Sequence, residues 1–274
     1  MAELAKSVLE DIIALRRRRV EETRAGVPLG RLEHSVEKRT DYRDFAQAIS
    51  GGSLRVIAEL KRASPSRGAL RRDYKPGEIA RSYESAGASA LSVLTEQDFF
   101  GGSLEDLKAA RGTVKLPVLR KDFILDVYQV YESVAAGADA LLLIVAALSD
   151  EDLRNLLGLC ERLRIEALVE VHTEAELDGA LGAGARLIGV NNRNLKTLEV
   201  NLETSFRLRE RIPATCLAVS ESGIKTPGDL RRLAEAGFNA ILIGERFMTE
   251  ADPGKALADL LRLVSEGAPP VAER

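Results

Sequence analysis

Eight short apolar runs, each followed by a stretch of helical periodicity, limit this chain to few folds. Their centres lie near Ile57, Leu91, Val118, Leu142, Val169, Gly189, Val219 and Leu242, at spacings of 20 to 34 residues, enough for a helix and two loops each time. Apolar runs joined in this way are read as a parallel sheet buried on both faces. Eight units with no run patterned as an edge strand predict an α/β fold, a closed (β/α)8 barrel. Four times the sequence repeats a helix, a small-residue turn and a strand, at Gly87, Gly137, Gly184 and Gly237. A glycine in that place takes the left-handed conformation that stops a helix.

The helices carry their own start signals. Thr173 with Glu176 and Asp126 with Gln129 have the spacing of capping boxes, Ser149 precedes an acidic first turn, and Pro227 follows Thr226 at a first helical position. Ahead of the repeat, Leu4, Val8, Ile12 and Leu15 share a helical face, and a short helix is expected around Asp44 to Ile49. The expected organisation is a helical extension over residues 1–50, a barrel over 51–265 and a tail over 266–274.

Six of the eight runs end in residues that packing alone would not select. They are Glu59 and Lys61, then Arg120-Lys121-Asp122, Glu170, Asn191-Asn192-Arg193, Ser220-Glu221-Ser222, and Gly244-Glu245. In a (β/α)8 barrel the C-terminal strand ends form the catalytic face. Glu59 and Lys61 are two residues apart and so share one side of a strand. The turns at Ser222-Gly223 and Gly244-Glu245 follow the last two strands, where barrels of this kind hold phosphate with backbone N–H groups. For any one of these residues a structural ion pair in the mouth is an equal explanation. The set, converging beside a phosphate site, favours chemistry. Glu221 and Glu245, the acids beside the turns, carry the least weight in this reading.

Other features exclude partners and cofactors. The net charge is −3, and Arg16 to Arg19 are followed by Glu21 and Glu22, so a solvated helix face is expected and not a nucleic-acid patch. The most apolar stretch, Ala138 to Leu148, is too short for a membrane span, and the N-terminus does not read as a secretory signal. Two histidines without paired spacing predict no metal site, and no phosphate-binding or dinucleotide fingerprint predicts a nucleotide cofactor. His172 is read as a loop residue. Cys160 and Cys216 read as buried structural thiols, which fits a reducing cytoplasm.

The blocks Ile57-Ala58-Glu59-Leu60-Lys61-Arg62-Ala63-Ser64-Pro65-Ser66, Leu119-Arg120-Lys121-Asp122-Phe123, Leu168-Val169-Glu170-Val171-His172, Gly189-Val190-Asn191-Asn192-Arg193, Ser220-Glu221-Ser222-Gly223-Ile224 and Leu242-Ile243-Gly244-Glu245 occur in this order. With them the chain resembles the indole-3-glycerol-phosphate synthases of tryptophan biosynthesis. The resemblance implies ring closure, decarboxylation and dehydration of 1-(2-carboxyphenylamino)-1-deoxyribulose 5-phosphate, without cofactor or metal. It implies Lys121 as general acid and Glu170 as base, with Glu59 and Lys61 also involved. It places phosphate at Lys61, Ser222, Gly223, Gly244 and Glu245. It makes Asn191, Arg193 and Ser64 substrate-positioning residues, with Phe123 and Leu242 as apolar wall. One departure is Arg246, a cation where the family often has serine; it would either strengthen anion binding or point to solvent. The oligomeric state is left open, a monomer being favoured. The segment from Ser64 to Gly68 is the expected mobile loop. The alternatives are a sugar-phosphate isomerase or Schiff-base aldolase on the same barrel, with Lys61 or Lys121 as imine lysine, or a phosphate-ligand binding protein without activity.

Overall fold

The computed structural model describes residues 8–65, 67–195 and 197–266. Eight parallel strands close into one barrel: β1 (Arg55–Leu60), β2 (Ala90–Leu94), β3 (Val118–Lys121), β4 (Ala140–Ile144), β5 (Glu166–Val171), β6 (Leu187–Asn191), β7 (Leu217–Glu221) and β8 (Ala240–Ile243). β1 pairs with both β2 and β8, which completes the ring and leaves the barrel no edge.

Strand alternation sorts the apolar side chains into two layers. Val56, Ala58 and Leu60 of β1, Val118 of β3, Val169 of β5 and Ile241 of β8 pack outward against the helices. Ile57, Leu119, Leu168, Val219 and Leu242 fill the inside. The period of two then settles the rest. Glu59 continues the inward row of Ile57, Lys121 that of Leu119, Glu170 that of Leu168, and Glu221 that of Val219. Asn191 continues the row of Leu187 through Gly189. Arg120, Asn192 and Ser220 fall on the outward rows.

The segment before the barrel runs from one end of it to the other. Helix α1 (Val8–Gly26) meets the loops after β2 and β3, with Arg16 2.7 Å from Asp122, Arg19 2.8 Å from Asp98 and Arg24 2.5 Å from Asp126. Arg16 is buried. The arginine run is therefore not a solvated face, because two of its members are docking cations. Residue 4, expected in this helix, lies outside the described residues. Helix α2 (Leu29–Glu37), which the sequence reading did not anticipate, follows. Beyond it Arg39 bonds Asp139 at 2.7 Å and Arg43 donates to the Leu116 carbonyl at 2.7 Å, both at N-terminal strand ends. Helix α3 (Phe45–Ile49) is capped by Asp44, and its Phe45 and Ile49 join the inner apolar layer, closing that end.

Two helix starts differ from expectation. Thr173 caps α4 (Glu174–Gly182) at the Glu176 N–H, but the Glu176 carboxylate accepts from the His172 N–H and not from Thr173. Asp126 caps the helix Val127–Ala135, while Gln129 bonds Leu125 and Phe123 instead of the cap. The full capping box occurs at Thr226 and Asp229. Both cysteines are free and buried. Among the described residues no helix is long and apolar enough to cross a membrane. The expected tail falls almost wholly outside the described residues.

Candidate active site

A cavity of about 430 Å³ opens at the C-terminal strand ends. It is lined by Glu59, Lys61, Lys121, Phe123, Glu170, Asn191, Arg193, Ser222, Gly223, Leu242, Gly244 and Glu245, together with Glu221. All the expected site residues but one meet there. The exception is Ser64, which is buried in a small hairpin that pairs Ala63–Ser64 with Gly68–Ala69 and does not line the cavity. This hairpin is the segment expected to be mobile; its Ser66 lies outside the described residues.

Lys121 is the centre of the charge array. Its Nζ donates to Glu170 Oε2 at 2.9 Å and to Glu221 Oε2 at 2.5 Å. Asn191 Nδ2 donates to the other Glu170 oxygen at 3.1 Å, which orients that carboxylate. Across the mouth Lys61 Nζ lies 2.8 Å from Glu59 Oε1. Burial pulls the Lys121 ammonium toward neutrality, but the charges of Glu170, Glu221 and Glu59 outweigh it and hold Lys121 protonated. Burial also works against an ionised Glu170, yet Lys121 and then His172 hold its pKa well below the ordinary carboxyl value. Glu221 goes the other way. Burial raises it, Lys121 compensates only in part, and the Glu170 charge adds to the rise, leaving it at about 7. Its Oε1 is buried without a hydrogen-bond partner. Glu170 and Glu221 share the Lys121 ammonium, and burial beside the Glu170 charge makes Glu221 the partner more readily protonated.

The low weight given to Glu221 is thus corrected. It does not merely flank the phosphate turn; it holds Lys121. Its signal was present in the strand period, which turns Glu221 inward with Val219. The glycines support the same array. A Cβ on Gly189 would stand 2.4 Å from Glu221 Oε1, and one on Gly244 would stand 2.2 Å from Glu59 Oε1 and 2.8 Å from Glu59 Cβ. Gly244, expected to admit an anion, also makes room for Glu59.

The turn after β7 is strained and braced. Ser222 and Gly223 both have positive φ, 67° and 79°, a conformation that costs serine about 1–2 kcal/mol. Asn192 Nδ2 holds it by donating to the Glu221 and Ser222 carbonyls, each at 3.0 Å. Asn192 Oδ1 accepts from the Ser205 N–H at 3.0 Å and the Ser205 hydroxyl at 2.9 Å. Neither Asn192 nor Ser205 was singled out in the sequence. The outward row of β6 identifies Asn192 as a brace; Ser205 has no local signal.

At the rim, the Glu245 carboxylate lies 3.2 Å from Arg67 and 4.0 Å from Arg193. Arg193 also donates to the Leu198 carbonyl at 3.3 Å. Arg246 donates to the Lys225 carbonyl at 2.8 Å and ties the loop after β8 to the loop after β7. Its cation therefore lies at the cavity wall, which also includes Lys225 and Arg246. His172, read as a loop residue, stands behind Glu170, with Nε2 3.3 Å from Glu170 Oε1.

Comparison with known proteins agrees with this geometry. The family model described as Indole-3-glycerol phosphate synthase matches residues 9–260. The indole-3-glycerol phosphate synthase of Polaromonas naphthalenivorans (strain CJ2) is 50% identical over 257 residues, 92% of this chain and 98% of that protein. That of Chloroherpeton thalassium (strain ATCC 35110 / GB-78) is 51% identical over 245 residues, 88% of this chain and 94% of that protein. Among solved structures, a thiamine phosphate pyrophosphorylase from Pyrococcus furiosus superposes with a TM-score of 0.57 at 18% identity, over 78% of this chain and 96% of that one, a likeness of fold alone. The profile match over nearly the whole barrel, and relatives half identical along it, place the chain in the indole-3-glycerol phosphate synthase family.

Proposed function

We propose that the barrel mouth closes the indole ring of tryptophan biosynthesis in the cytoplasm, with Lys121 and Glu170 as the acid–base pair. The substrate is 1-(2-carboxyphenylamino)-1-deoxyribulose 5-phosphate. Its ring carbon bearing the carboxylate attacks the ketone carbon, and Lys121 gives a proton to the ketone oxygen. CO2 then leaves, and its bonding pair restores the aromatic ring. The new hydroxyl takes a second proton, from Lys61 of the Lys61–Glu59 pair, and leaves as water. Glu170 takes the proton lost from the methylene carbon, which completes the C=C bond of indole-3-glycerol phosphate. Glu59 and Lys61 complete the set of proton carriers.

In this reading Lys61, Ser222, Gly223, Gly244 and Glu245 hold the phosphate, the last three mainly through backbone. Asn191 and Arg193 position the anthranilate portion between Phe123 and Leu242. Residues 1–50 act as an extension of the barrel of residues 51–265, and the chain works as a monomer. Ser64 supports the hairpin of the first loop from below the cavity wall.

The observation that carries the proposal is the pairing of Lys121 with Glu170 at 2.9 Å inside the cavity. It also disfavours a Schiff-base aldolase, because an imine lysine reacts as the free amine and Lys121 is held charged. Two measurements test the roles. Glu170→Gln is expected to lower kcat by at least about a hundredfold, the lower end of the general acid–base range. Borohydride added during turnover is expected to trap no adduct. A Glu170→Gln rate near wild type, or a covalent adduct at Lys61 or Lys121, would overturn the assignment.

A further inference from the structure

His172 is a largely enclosed group that the proposed reaction leaves unused. It follows Glu170 by two residues, in the bend just past the end of β5 and ahead of the Thr173 cap of α4. The cavity is lined by Glu170 but not by His172, which places the imidazole on the far side of that carboxylate. Its Nε2 is buried and stands 3.3 Å from Glu170 Oε1, off the line of a hydrogen bond. Its Nδ1 stands 3.1 Å from Glu176 Oε2. The same Glu176 oxygen accepts from the His172 backbone N–H at 2.8 Å, which fixes the ring between two carboxylates.

We propose that His172 is a positioning residue: as an imidazolium clamped by Glu176, it keeps Glu170 ionised and oriented when Lys121 turns from Glu170 to the substrate ketone. The inference rests on Glu170 being the base. Its physical content is a matter of counting charges. In the free site Glu170 faces Lys121 from β3, Glu221 from β7 and His172 from the bend after its own strand, with Asn191 from β6 as a neutral donor. His172 faces Glu170 and, from α4, Glu176; the short helix Val145–Ala147, which packs on both β5 and α4, carries no charged side chain. Once Lys121 moves to substrate, His172 is the cation that stays with Glu170. Burial disfavours a charged imidazole, but contacts with Glu170 and Glu176 outweigh it and raise His172 to about 10. The imidazolium is therefore present throughout the neutral range.

The sign of the effect follows. A neighbouring cation lowers the pH at which Glu170 takes up a proton, so its removal raises that pH, by about one unit for a charge at this range. In His172→Asn the acid limb of the kcat–pH profile is expected to move up by about one pH unit, with KM within about threefold of wild type. Glu176→Gln is expected to move the limb the same way by less, because the imidazolium loses one of its two partners. A role confined to holding the fold would lower the melting temperature and leave the limb in place.

The wild-type protein supplies a readout that needs no variant. It has two histidines, and His34 lies exposed on α2, so the ring nitrogens of His172 are separable by nitrogen-15 NMR. Both are expected to remain protonated at pH 8. A neutral His172 ring at pH 7, or an unmoved acid limb in a folded His172→Asn protein, would overturn the inference. A folded wild type with no indole product would instead sink the reading of Glu170, and the inference with it.

Discussion

Glu170 and Glu221 hold the Lys121 ammonium while Glu59 holds that of Lys61, and the glycines that face these carboxylates decide whether they fit. Gly244 continues the inward row of β8 at the height of Glu59, where an ideal Cβ would come within 2.8 Å of that residue's own Cβ. A flexible carboxylate end can swing away from such a contact, but a Cβ cannot. Gly244→Ala should therefore push Glu59 off Lys61, lower kcat by about tenfold or more, and cost about 1–3 kcal/mol of stability, the range for an overpacked site. Turnover and a urea titration check both parts; a variant with wild-type values for both would show that the wall yields freely. The positive φ of Ser222 belongs to the same scale. It is tolerated because Asn192 fixes the carbonyls on either side of the turn's first residue.

The elements show how far a linear reading reaches. The eight strands follow from the short continuous apolar runs, and their inward rows from the side-chain period of two once one inward residue of each is placed. With the rows known, Lys121, Glu170, Asn191 and Glu221 fall inward and Arg120 outward. What a single strand does not contain is the partner. Glu221 gains its meaning from Lys121, which is 100 residues away in the chain. Helix α2 escaped notice because its sequence begins with Pro28 and carries no side-chain cap. Arg16 escaped because a row of four arginines looks solvated until Asp122 is placed beside it.

That ion pair gives α1 a testable function. Asp122 Oδ2 accepts from Arg16 at 2.7 Å, from Thr95 at 2.6 Å and from Arg120 at 3.0 Å, next in sequence to Lys121. Arg16→Ala leaves Asp122 three partners, Thr95, Arg120 and the Phe123 N–H, so the cost should fall below the roughly 3–5 kcal/mol of a fully orphaned buried charge, at about 2 kcal/mol. Denaturant unfolding measures it. No loss of stability would mean that the Arg16–Asp122 pair does not hold α1.

At the scale of the molecule, the site costs stability that the barrel supplies elsewhere. Glu221 titrates at about 7 in the fold against an ordinary value of 4.5. Between those values the unfolded chain has lost a proton that the fold retains, so stability declines as pH rises. Glu170 has the opposite sign, with stability lost only as pH falls below its ordinary value, outside that window. His172 contributes stability below its ordinary 6.5 that is lost as pH rises toward about 10, in wild type and variant alike. Glu221→Gln removes only the first effect. Its stability relative to wild type should therefore improve from pH 5 to pH 8, while kcat falls because Lys121 loses a partner. Urea midpoints at the two pH values test the sign; a difference that stays constant would show that Glu221 is ionised throughout.

The central claim is that Lys121, held charged by Glu170 and Glu221, drives ring closure in this cavity. Its most direct test is the fluorescence of indole product from 1-(2-carboxyphenylamino)-1-deoxyribulose 5-phosphate, followed for wild type and Lys121→Ala together. Wild type should turn over, and the variant should be slower by about a thousandfold, the scale of a lost general acid. A folded wild type that yields no indole, or a Lys121→Ala rate near wild type, would contradict the account.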